Sequence, residues 1–180
     1  MLLNTLMRNT EARDQNPNVL DASDKHIRIH CQLTAPGNDT PVRFEFNRAN
    51  NFLNDPSKYE VCIESCIIDF TDGSAFPINF RRLTFRTTMP VISELQKSDR
   101  NITKTMIGYY YPSNKSAITQ LYEPTEKRWY NMSSDYPLNR FDLELISEFA
   151  PSVPPVTDDF PFLLSAGQSV DLVVLFRRKD

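Results

Sequence analysis

Glycine is scarce: four of them, at positions 37, 73, 108 and 167, serve a chain of 180 residues. No glycine-rich phosphate loop can be built from so few, and no G-x-S-x-G elbow or H-E-x-x-H metal motif occurs. Histidine is scarcer still. His26 and His30 fall four apart in a segment that alternates like a strand, which separates them by about 13 Å. A cupin-type metal centre needs clustered histidines with a carboxylate and glycine-rich turns, so the pattern predicts a solvated face, with no metal and no cofactor.

Three cysteines cannot all pair within the chain. Cys62 and Cys66, four apart on one extended segment, stand about 13 Å apart, beyond the reach of a disulfide. Their spacing also lacks the partners of a zinc knuckle, so Cys31, Cys62 and Cys66 read as small buried hydrophobes. No stretch approaches the roughly eighteen apolar residues of a membrane span, and the apolar run in MLLNTLMRNT is too short for a secretory leader. Without a secretory signal, the sequons at Asn38, Asn101, Asn114 and Asn131 read as accidents of an Asn- and Ser-rich surface. A formal net charge of −3, from 20 basic and 23 acidic residues, gives no concentrated positive field. A specific nucleic-acid site is therefore not expected, and Arg81-Arg82 and Arg177-Arg178 read as solvated strand ends.

What is abundant is short β-rich runs broken by Pro, Asn, Asp and Ser. His26 to Leu33 alternates Ile27, Ile29, Cys31 and Leu33 against His26, Arg28, His30 and Gln32, the period of a strand with one wet face. Val42 to Phe46, Tyr59 to Phe70, Leu83 to Thr87, Ile102 to Tyr111, Ala117 to Tyr122, Arg128 to Met132, Arg140 to Phe149 and Ser169 to Arg177 follow. A helical turn is expected within Asn47 to Asp55. The phase of Tyr59 to Phe70 slips near Ser65 to Ile68, predicting a bulge. Val170 and Leu172 to Phe176 form a run that needs cover on both faces, the mark of an inner strand. Prolines exclude a central strand from SVPPVTDDFPF, which Phe160, Phe162 and Leu163 are expected to pack at one end of the fold. No internal repeat is present.

Eight or nine short strands without a long helix predict an all-β fold. The expected architecture is a single jelly-roll β-sandwich of two antiparallel four-stranded sheets, because long crossing loops suit that better than a meander. Residues 25–180 would form this domain. Residues 1–24 are polar and aperiodic and read as a flexible N-terminal arm, whose Leu2, Leu3, Leu6 and Met7 could anchor it on a neighbour.

Catalytic chemistry finds little support. Glu60 with Glu64, and Asp142 with Glu144, could in principle work as carboxylate pairs, yet alternation alone places each pair on the wet side of a strand. The notable cluster is aromatic: Tyr109, Tyr110, Tyr111, Tyr122, Trp129, Tyr130 and Tyr136. About half should be core, and the rest could stack on a sugar or on a partner protein.

From about residue 25 the chain resembles the single jelly-roll capsid proteins of double-stranded DNA viruses, especially the penton and minor capsid proteins of the virophage, polinton-like and giant-virus group. The resemblance rests on the long strand YEVCIESCIIDF and on LTFRTTMPVI followed by NITKTMIGYYYP. It rests also on LNRFDLELISEF with FLLSAGQSVDLVVLFRRK, a final pair ending in a hydrophobic strand with a basic stop. The acidic-Gly turn typical after the family's penultimate strand is replaced here by SVPPVTDD. The resemblance implies no enzymatic role. It implies a virion subunit assembled in the host cell, self-associating as a vertex pentamer and contacting the major capsid protein and other minor capsid proteins. The alternatives are a minor or cement protein between capsomers, a glycan- or receptor-binding sandwich on a particle, and a small cupin-type enzyme. Candidate subunit-interface residues are Leu2, Leu3, Leu6, Arg81, Arg82, Tyr109, Tyr110, Tyr111 and Trp129. The number five comes from the resemblance alone, since residue spacing fixes no rotation order.

Overall fold

The computed structural model describes residues 26–47, 52–71, 73, 76–92, 105–134, 136–150 and 160–179. The segment 1–24, with Leu2, Leu3 and Leu6, and the whole of SVPPVTDD lie outside them. The described strands are β1 (His26–Thr34), β2 (Thr40–Pro41), β3 (Arg43–Asn47), β4 (Tyr59–Asp69), β5 (Phe80–Thr87) and β6 (Thr105–Tyr110). They continue with β7 (Thr119–Tyr122), β8 (Tyr130–Asn131), β9 (Arg140–Phe149), β10 (Phe160–Pro161), β11 (Leu163–Leu164) and β12 (Ser169–Arg178).

Two antiparallel sheets carry the fold. The first runs β1-β12-β4-β7, with β8 also on β4, and the second runs β10-β9-β5-β6, with β3 also on β9. Setting aside β2, β8, β10 and β11, the remaining strands in chain order fall first, eighth, third, sixth in one sheet and second, seventh, fourth, fifth in the other. That interleaving is the jelly roll. The expectation of four strands per sheet needs one refinement. Each sheet has four ranks, but an edge rank is shared by two short strands: β7 and β8 take opposite ends of β4, as β3 and β10 do on β9. Prolines account for part of this, because Pro161 can join an edge but not an inner ladder. The small β2–β11 pair closes one end.

The inner strand of the first sheet is β12, as its apolar run requires. Val170, Leu172, Val174 and Phe176 point inward and are fully buried, flanked by β1 on one side and β4 on the other. Opposite them on β4 stand Ile68, Cys66, Ile63 and Val61. Their spacing breaks from two to three between Ile63 and Cys66, and a bulge at this point, where Glu64 is the extra residue, absorbs the difference. The bulge thus lies just before the expected window, and it keeps all four side chains inward. Residues 48–51 of the segment expected to hold a helical turn lie outside the described residues, and a 3-10 turn stands just after that segment at Pro56–Lys58. Gly167 takes a φ of 83° in the turn before β12, a left-handed conformation that disfavours any side chain.

All three cysteines are free and buried. Burial pushes the Cys62 thiol up to about 12 and raises Cys31 and Cys66 as well. A thiol reagent at mildly alkaline pH is therefore expected to leave the native protein unlabelled and to modify all three thiols once denaturant is added. Rapid labelling of the native protein would contradict this packing.

Phenylalanines fill the two ends of the core. Phe141 lies between Phe46, Phe52 and Phe176 at one end. At the other, Phe76 stacks on Phe80 and meets Phe70 and Phe162 edge-on or tilted. Phe162 and Leu164 are buried here, whereas Phe160 and Leu163, also expected to pack at this end, are 50% and 45% exposed; on β11 strand alternation turns Leu163 out as it turns Leu164 in.

Candidate functional site

The densest arrangement of functional side chains lies on the outer face of the second sheet. Between Phe80 and Arg82 the β5–β9 register slips by one residue, so Phe80 and Leu83 both point into the core while Arg82 and Thr84 face outward. Register then sets Arg82 opposite Glu148, and Thr84 between Ile146 on β9 and Tyr109 on β6.

Arg82 Nε and Nη2 donate to the two Glu148 oxygens at 2.7 and 2.9 Å, and Thr84 Oγ1 donates to Glu148 Oε1 at 2.8 Å. Arg82 Nη1 also donates to the Tyr111 hydroxyl at 3.1 Å. Its guanidinium stands 5.4 and 5.8 Å from the centres of the Tyr109 and Tyr111 rings, which meet each other edge-on at 5.3 Å. The hydrogen bonding that Arg82 donates to Glu148 raises the Arg82 pKa above its ordinary value. Thr84 and Glu148 are buried although they face outward, while Tyr111 is 49% exposed. Arg82 thus ties Glu148, Thr84 and the two tyrosine rings into one connected group, with half of Tyr111 exposed.

The other candidate residues are not all brought to this surface. Arg81, the extra residue of the slip, is exposed on the same strand. Tyr110 turns the opposite way. Its hydroxyl donates to Gln120 Oε1 at 3.0 Å, and its ring meets Tyr122 edge-on at 5.7 Å. The buried Gln120 passes the tie on, donating to the carbonyls of Asn114 and Ala117. Tyr110 thus laces the two sheets together at one lateral edge.

Trp129 lies on the outer face of the first sheet, preceding Tyr130, whose ring is buried against the core. The Arg177 guanidinium sits 4.0 Å over the indole and bonds Glu60 at 2.7 Å. Beside it the bulged Glu64 accepts from Arg28 at 2.8 Å and Lys127 at 2.6 Å. Burial works against ionisation of Glu64, but these two cations prevail and hold its carboxyl below the ordinary range.

The expectation that the carboxylate pairs simply line wet strand faces needs correction. Asp142 is buried, accepts from Arg43 at 2.7 Å, and its backbone N–H donates to the Thr88 hydroxyl. Thr87 in turn donates to the Asp142 carbonyl at 2.7 Å. Glu60 and Glu64 are each held by a cation. The partners Thr84 and Glu148 were not legible from sequence, because they meet Arg82 only through the pairing of β5 with β9.

Among the described residues no group of three or more His, Cys, Asp or Glu is placed to hold a metal ion. His26 and His30 share the polar side of β1. No described helix is long and apolar enough to cross a membrane.

Neither a family model nor a curated protein sequence matches the chain. Solved structures do. The fold is similar to that of the mavirus penton protein, with a TM-score of 0.62 at 9% identity over 86% of this chain and 100% of that one. A Sputnik virophage structure aligns with a TM-score of 0.42 at 11% identity, over 89% of this chain and 56% of that chain. The chain is thus an all-β jelly-roll sandwich, and it shares that fold with a viral capsid protein.

Proposed function

We propose that this chain is a structural subunit of an icosahedral viral capsid, a vertex penton that self-associates as a ring and adjoins the major capsid protein and other minor capsid proteins. In this reading residues 25–180 form the shell domain, residues 1–24 serve as a flexible arm, and the protein works in the virion without catalysing a reaction. The observation that carries it is the fold shared with the mavirus penton protein over that protein's whole length. The side chains support it from another direction: Tyr and Arg are the residue types that dominate the energy of protein interfaces, and Arg82, Tyr109 and Tyr111 are held rigid before any partner arrives.

Tyr111→Ala is the clean test, because an exposed tyrosine contributes little to the stability of the isolated fold. The subunit should melt within a few degrees of the wild type, while assembly measured by sedimentation weakens by about thirtyfold or more, as expected for an interface anchor. Unchanged assembly would remove this face from the interface. Selective binding of a glycan by a wild-type protein that never assembles would favour the receptor-binding alternative. Assembly only in the presence of other capsomers would favour the cement role.

A further inference from the structure

One corner of the first sheet carries exposed aliphatic side chains beside the Asp69–Thr119 pair of the same ladder. Ile67 and Leu121 are register partners across the β4–β7 ladder and are 41% and 53% exposed. Ile118, just ahead of β7, is 53% exposed, and Ile78 reaches 94% at the tip of a turn closed by the Phe80 N–H on the Pro77 carbonyl. The turn is held beside the segment leading to β7: the Phe76 N–H donates to the Lys115 carbonyl at 3.0 Å, and Lys115 Nζ donates to the Ile78 carbonyl at 2.9 Å. Elsewhere on the same face several polar side chains are paired, through Arg28 and Lys127 on Glu64, Arg177 on Glu60, and Gln32 on Asp171, around the apolar Cys62, Val173 and Leu175. Exposed aliphatic side chains gathered at one corner of such a face mark a docking site.

We propose that this corner receives the Leu2-Leu3-x-x-Leu6-Met7 tip of the N-terminal segment of a neighbouring copy. The inference rests on the capsid-subunit reading above. Three arguments select this occupant. The tip supplies the aliphatic partner that the corner lacks, within a segment that is otherwise mostly polar. The twenty-five residues ahead of His26 can extend to about 80 Å, ample for the roughly 30 Å length of a nine-residue strand and the crossing to an adjacent subunit. The third argument concerns the route. His26 pairs with Arg177 at the end of β12 remote from the corner, and β1 and β7 are opposite edge ranks of the sheet. The tip would have to cross the ion-paired face diagonally to reach its own corner. In a head-to-tail ring that joined these opposite edges, the start of β1 would come beside the next copy's β7 edge.

Two full-length variants, Leu6→Cys and Leu121→Cys, test this by mixing. The native cysteines are buried, so a short bismaleimide should react with the introduced thiols alone. The expected result is a covalent two-chain species that contains one copy of each variant and forms only in assembled protein. Leu121→Asp should weaken assembly by more than about tenfold with little change in melting, since Leu121 is exposed. Assembly without that cross-link would overturn the docking site and leave the capsid reading standing. In a double variant, Leu6→Cys with Leu121→Cys, a cross-link confined within single chains would overturn the exchange between copies. Protein that stays monomeric under every assembly condition would remove the capsid reading and this inference with it.

Discussion

Leu172→Asp is expected to abolish folding. Leu172 has no exposure and lies on β12 between Cys31 of β1 and Cys66 of β4. Among the described residues the groups packed in this layer are apolar side chains and thiols, whose own ionisation is already suppressed by burial. An ionised carboxylate there costs more than the roughly 5–15 kcal/mol that holds a typical domain together, and even its neutral form leaves polar atoms without partners. Val174→Asp, between Ile29 and Ile63, should behave alike. Soluble yield and circular dichroism report the outcome. A cooperative melt within a few degrees of the wild type would show that β12 is not the central inner strand.

Phe141→Ala is expected to give a folded but much weaker protein. The ring stacks on Phe46 at 4.3 Å and meets Phe52 and Phe176 at 6.1 and 6.4 Å, which joins β9, β3 and β12 across the two sheets. Truncation removes both the buried area and the ring contacts and leaves a cavity that the surrounding strands can fill only in part. The expected cost is about 3–5 kcal/mol, a fall in Tm of roughly 10 °C for a chain of this size. Phe46→Ala should cost less, because Phe46 is only partly buried and packs against the edge of the cluster. Equal effects at the two positions would mean that the cluster does not bridge the sheets as described.

Local pattern made most of the fold legible. The alternation of β1, the apolar run of β12 and the span of β9 follow directly from which positions must be buried, and the phase slip in β4 announced its bulge. Less legible were features that depend on pairing between distant segments. β8 falls within the expected strand Arg128 to Met132, but its shortening to two residues and its place on β4, with Tyr130 inward beside Val61, depend on that pairing. The candidate site divides the same way. Arg82, Tyr109 and Tyr111 were recognisable by residue type, but strand parity separates Tyr110 from its neighbours and turns it toward Gln120. Glu148 and Thr84 looked like ordinary alternating polar residues until β9 and β6 were set on either side of β5. Asp142 is buried for a similar reason, since Thr87 and Thr88 grip its backbone from the adjacent strand.

The central claim is that this jelly roll is a capsid vertex subunit, and the most direct measurement is electron-microscopic imaging of the purified particle at a resolution that traces β-strands. The account predicts one copy of the sandwich in each of five positions around every vertex, with the Arg82, Tyr109 and Tyr111 face against an adjacent chain. Vertices filled by a different chain, or a particle that lacks this protein altogether, would contradict it.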